Sequence, residues 1–168
     1  MFWLSLLFVV IAAVTAFGLL GYGGRTLADS RRAGDGRAGL LRGLAALCGA
    51  GACALYGWGL LFVVGAVLTA EDGGTDSSPP QSCRTPGWWE RHQRGIEIVD
   101  YSVRFVPLGF VCETSDGGSY DNGDVPGYVN PAALGLALGG AGCAVAAGYV
   151  TELRARAGAR GSSSDRRA

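Results

Sequence analysis

The sequence predicts a membrane α-helical protein: three transmembrane helices and a small, disulfide-stapled, β-rich extracytoplasmic loop module. Three observations predict it. Residues 1–24, 43–70 and 125–151 contain no Asp, Glu, Lys or Arg, and these runs are 24, 28 and 27 residues long. Crossing a bilayer takes about 20 apolar residues. The charges that remain are segregated by sign between the runs. The one long polar loop contains two cysteines, Cys83 and Cys112.

The 168 residues are formally neutral, 49% hydrophobic and 17% charged, and all 14 basic residues are Arg. A soluble domain carries roughly 25% charged residues. The balance excludes an ordinary soluble globular domain and a nucleic-acid binder, which needs a basic surface. The lipid bilayer is the expected partner.

The first span covers residues 1–24. Val14-Thr15-Ala16 has some likeness to a cleavage site, but no basic residue precedes the run and the apolar stretch exceeds the usual signal-peptide length. A retained span is expected. The second covers residues 43–70, with a small-residue first half (Ala45, Ala46, Gly49, Ala50) and a bulky second half (Leu60, Leu61, Phe62, Val63). The third covers residues 130–151. Asn130 suits a helix cap, and Pro131 suits the first turn, where its missing N–H costs nothing.

Orientation follows from the connections. Residues 25–42 hold five Arg against two acids, net +3. Residues 71–124 hold four Arg against ten acids, net −6, and residues 152–168 return to +3. Arg near span ends stays cytoplasmic. The expectation is an integral plasma-membrane protein with its N-terminus outside. Residues 25–42 form a cytoplasmic loop, residues 71–129 the outside module, and residues 152–168 a disordered cytoplasmic tail rich in Arg, Ser and Gly.

The module opens with a polar linker, Glu71 to Pro80. From Ile96, apolar and polar residues alternate through Phe105, with one slip of phase near Val99-Asp100 that a β-bulge would produce. Pro107-Leu108-Gly109 interrupts. Phe110 to Thr114 reads as a second strand, Ser115-Asp-Gly-Gly as a turn, and Ser119-Tyr120-Asp121 as a third strand. A module of 59 residues has little core of its own. A Cys83–Cys112 bridge closes a loop of about 30 residues and stabilises by about 3–4 kcal/mol on the chain-entropy model.

No residue pattern points to catalysis, to a metal or to a cofactor. His92 is the only histidine and reads as a surface residue. Cys48, Cys53 and Cys143 lie within spans and read as small packing residues. Pumps and proton relays place ionisable groups in their spans, and these spans have none. The Trp88-Trp89 pair has three readings: module core, membrane interface or partner anchor. In the third span Gly135, Gly139 and Cys143 recur every four residues, a spacing that lets helix backbones approach closely. These five residues are the candidate partner contacts, toward another membrane protein or a second copy. The functional expectation is a non-enzymatic accessory or scaffold component of a membrane complex. The alternative is an envelope sensor or ligand-binding protein that uses the loop.

Overall fold

The computed structural model describes residues 2–32, 36–71 and 79–165. Its elements run α1 (Phe2–Arg32), α2 (Gly36–Glu71), a 3-10 turn (Gln81–Cys83), α3 (Trp88–Gln93), β1 (Ile98–Phe105), β2 (Leu108–Thr114), β3 (Ser119–Asp121) and α4 (Val129–Asp165). Among the described residues three helices are long and apolar enough to cross a membrane, Phe2–Arg31, Gly36–Glu71 and Val129–Ala159, whose 18-residue apolar windows have mean hydropathy 2.5, 1.9 and 1.7. The chain is a small multi-pass membrane protein.

The helices outrun the charge-free runs. α1 continues to Arg32 and α2 already begins at Gly36, so most of the expected loop 25–42 is helical. The segment from Glu152, read from composition as a disordered tail, continues α4 to Asp165. Charge marks where lipid ends, but it does not end a helix; Arg and Ala are strong helix formers. Glu152 and Arg156 add an ion pair one turn apart at 2.9 Å. Residues 72–78 of the expected polar linker and the tail's last residues, 166–168, lie outside the described residues.

The chain divides into two compact units. The first comprises Met1–Ala13 and Ala54–Ala133, and the second Val14–Cys53 and Leu134–Ala168. In the first unit, β1, β2 and β3 form an antiparallel sheet in that order. The register slips between Ile98 and Asp100, where the alternation lost phase. The first hairpin turns at Val106-Pro107, joined by a cis peptide bond, so Leu108 and Gly109 belong to β2 and do not interrupt it.

The sheet's apolar face closes on the helices. Leu108, Phe110 and Cys112 of β2 share one buried cluster with Leu60, Val63 and Val67 of α2, Cys83, Val125, and Val129 at the start of α4. Phe2 and Val9 of α1 pack against it. Alternation on the strands and 3.6-residue periodicity on α2 thus supply two apolar faces that cover each other. Gly59 makes the approach possible: a Cβ there would sit 2.7 Å from a Leu108 methyl carbon and 2.8 Å from one of Val129.

In the second unit, α1 and α2 run antiparallel in close contact. Added Cβ atoms at Gly23, Gly43 and Gly49 would meet Ala46, Leu27 and Leu19 respectively. Gly140 of α4 lies against Ala45 and Cys48 of α2, and Arg42 donates to Thr151 Oγ1 at 2.9 Å. A small residue on at least one side of each contact allows close approach, which supplies the attraction that hydrophobicity cannot supply in lipid.

Candidate functional site

Cys83 and Cys112 are disulfide-bonded and fully buried. The bridge ties the 3-10 turn beyond α2 to the central strand. Tyr120, opposite Cys112 on β3, donates its hydroxyl to Cys83 O at 2.6 Å, so the same junction is held a second time. Ser82 Oγ donates to Ala66 O of α2 at 2.6 Å. Tyr101 donates to Glu71 Oε1 at 3.2 Å. Burial pushes the Tyr101 hydroxyl up from its ordinary pKa, and the Glu71 carboxylate raises it further.

The Trp pair lies on α3, a six-residue helix with no buried residue. Trp88 is half-buried and Trp89 is 60% exposed. His92 stacks on Trp88, with ring centroids 5.5 Å apart, and Arg84 lies over the Trp88 ring at 6.0 Å. The module's core is built from β2 and α2, and the tryptophans stand at its margin. Beside them a hollow of about 160 Å³ is lined by Pro79, Trp88, His92, Glu97 and Ile98. The Arg91 guanidinium lies 4.0 Å from the Tyr120 ring centre and fastens α3 to β3.

At the other end of the sheet, Arg104 pairs with Asp121 at 3.2 Å. Gly109 sits between them in register: it is opposite Arg104, and a Cβ there would collide with the Asp121 carboxylate. On the β2–β3 turn, Asp116 accepts from Thr114 Oγ1 at 2.5 Å and from Gly118 N–H at 3.0 Å. These bonds hold its carboxyl below the ordinary carboxylate range, the Thr114 hydroxyl contributing most.

On α4, Gly135 and Gly139 have no atom within 4 Å of an added Cβ, and Cys143 is half-buried. Gly140, one residue round the helix from Gly139, is the glycine that meets α2. A groove of about 440 Å³ in the same unit is lined mainly by small residues, including Ala45, Gly49 and Gly140, with Arg42 and Tyr22 among them.

Sequence reasoning gave Asn130 the wrong role, that of a helix cap. It lies inside α4, and its side chain does not cap the helix. Instead Leu108 N–H donates to Asn130 Oδ1 at 2.8 Å, and Asn130 Nδ2 donates to Leu108 O at 2.9 Å. The only signal was an Asn before Pro, which points equally to a cap. Gly59 and Gly109 were missed for a similar reason, since a glycine's neighbours across the fold leave no mark in its own stretch of sequence.

Among the described residues, no group of three or more His, Cys, Asp or Glu is placed to hold a metal ion. No protein-family model, curated protein or solved structure matches this chain.

Proposed function

We propose that this chain is a non-enzymatic accessory or scaffold component of a membrane complex. In this reading it sits in the plasma membrane with the N-terminus and module outside and the C-terminus in the cytoplasm. The observation that carries it is the one-sided use of α4. Gly140 packs against α2, whereas Gly135, Gly139 and Gly142 meet nothing, alongside exposed Leu138 and Val145. A flat, small-residue face suits close packing against another helix.

The test is affinity capture of the full chain from mild detergent, comparing the parent with Gly139→Leu and Gly140→Leu. The parent recovers a stoichiometric membrane protein or a second copy. Gly139→Leu keeps the chain's own fold and loses that recovery. Gly140→Leu also disturbs the α2–α4 contact. A monodisperse lone parent, or full recovery with Gly139→Leu, defeats the reading. Orientation is tested separately by a reporter after Thr151, expected to score cytoplasmic because five Arg follow it.

A second reading is an envelope sensor or ligand-binding protein. The Trp88–His92 stack beside its hollow supports it. Saturable binding of a small molecule to the lone protein, lost in Trp88→Ala, would favour it over the scaffold.

A further inference from the structure

The tip of the first hairpin is Phe105-Val106-Pro107-Leu108, four apolar residues in a loop that is otherwise strongly acidic. Val106 is 86% exposed, the most exposed of the large hydrophobic residues among those described. The tip lies alongside the membrane helices. The Phe105 ring is 5.2 Å from Phe8 of α1, Tyr56 of α2 donates to Phe105 O at 2.9 Å, and Asn130 of α4 holds Leu108.

These contacts set a depth. Counting about 20 residues back along α1 from Arg25 puts the edge of the hydrocarbon near Ser5. Phe8 lies three residues further in, about 4–5 Å at 1.5 Å per residue. Tyr56 likewise lies within the charge-free run of α2, 15 positions before Glu71. The same count back from Glu152 of α4 reaches Ala132, next to Asn130, so the tip, which touches all three helices, lies at the hydrocarbon boundary on the module's side.

Part of the tip's backbone, at Phe105, Pro107 and Leu108, is independently suited to that place. In hydrocarbon, a backbone polar group without a partner costs several kcal/mol. Here protein side chains supply the partners. Phe105 O accepts from Tyr56, Pro107 O accepts from Arg104 Nε at 3.2 Å, and both polar groups of Leu108 are held by Asn130. Pro107 has no N–H to satisfy. The Arg104 guanidinium, also bonded to Asp121, keeps its charge on the module side of the tip, as an arginine does near an interface.

We propose that the Val106–Pro107 tip is a lipid-inserted anchor that seats the module in the upper acyl region of the adjoining leaflet. Its partner is the bilayer, already in contact with the helices the tip adjoins.

The experiment places an environment-sensitive fluorophore at Val106→Cys, and for comparison at Ser115→Cys on the turn at the other end of β2. Both use the full chain with Cys48, Cys53 and Cys143 replaced by Ala, in phosphatidylcholine–phosphatidylglycerol vesicles. The probe at Val106 is expected to emit at shorter wavelength, to lose emission to a nitroxide near the top of the lipid acyl chain, and to be insensitive to aqueous iodide. The probe at Ser115 is expected to do the reverse. Iodide quenching at Val106 equal to that at Ser115 overturns the proposal. So does shielding from both quenchers, which would mean that protein covers the tip. A photoreactive residue at Val106 in the otherwise native chain gives a second measurement. Lipid adducts support the anchor, whereas adducts to protein or none to lipid refute it.

Discussion

Asn130 and Leu108 exchange two hydrogen bonds through one side chain, at 2.8 and 2.9 Å. The carboxamide acts toward Leu108 as another strand would, accepting from its N–H and donating to its carbonyl. It thereby satisfies an edge position of β2 that lies beyond β3, which pairs only with Val111, Cys112 and Glu113. One residue thus ties the hairpin to the start of the last membrane helix.

Asn130→Ala should loosen the module. Each polar group left without a partner costs about 1–3 kcal/mol. Limited trypsin digestion in detergent should cut at Arg91, Arg94 or Arg104 faster than in the parent. Asn130→Asp, which keeps the acceptor for Leu108 N–H but loses the donor, should fall between the two. Equal protection in all three proteins would show that the clasp contributes nothing.

Cys83→Ala and Cys112→Ala should be equivalent, each losing about 3–4 kcal/mol on the chain-entropy model. The double variant should be no worse than either single one, because all three open the same loop. Thermal unfolding of the module and non-reducing peptide mapping are the readouts. A clear difference between the single variants would place part of the effect in packing around one sulfur.

Gly59→Leu should displace the sheet from α2, because Leu108 and Val129 already occupy the space above Gly59 and both are buried. Overpacking of this kind costs about 1–3 kcal/mol, and a side chain as large as Leu lies at the upper end or beyond. Gly65→Leu on the same helix is the control, since nothing lies within 4 Å of a Cβ there. Helix content should persist in both, and protease protection of the module should fall only in the first.

Asp116 should titrate below an ordinary aspartate, and Thr114→Val should bring it back toward the usual range, because the Thr114 hydroxyl is the main cause of the shift. The sign follows from linkage. A depressed folded pKa favours the folded turn above the unfolded pKa, and that contribution is lost as pH falls through the folded value. Carboxyl carbon chemical shifts followed against pH would read it directly. An unchanged Asp116 titration in Thr114→Val would rule out the hydroxyl as the cause.

Much of the architecture was legible because it rests on patterns local in sequence. Charge-free runs located the spans. The phase slip at Val99-Asp100 located the bulge, and Ser119-Tyr120-Asp121 emerged as β3 with those bounds. What stayed hidden depends on direction and on distant neighbours. Gly139 and Gly140 are equally small, and sequence spacing cannot tell which of them faces α2. The hairpin was displaced because Pro107-Leu108-Gly109 carries a turn-like composition, whereas the chain turns at Val106-Pro107 and then pairs Gly109 with Arg104. α3 went unread because six residues are too few to display a helical period.

Val129 is fully buried in the cluster that also holds Phe110 and Cys112. It belongs at once to the module's interior and to the first turn of α4. During synthesis the loop therefore cannot close its core until that turn has been made. The order of assembly is then fixed by connectivity: α1 and α2 are in place first, and the module is completed together with the arrival of the last span. A chain that ended before Val129 would leave the cluster short of that one side chain, however well α2 covered the rest of the sheet's apolar face.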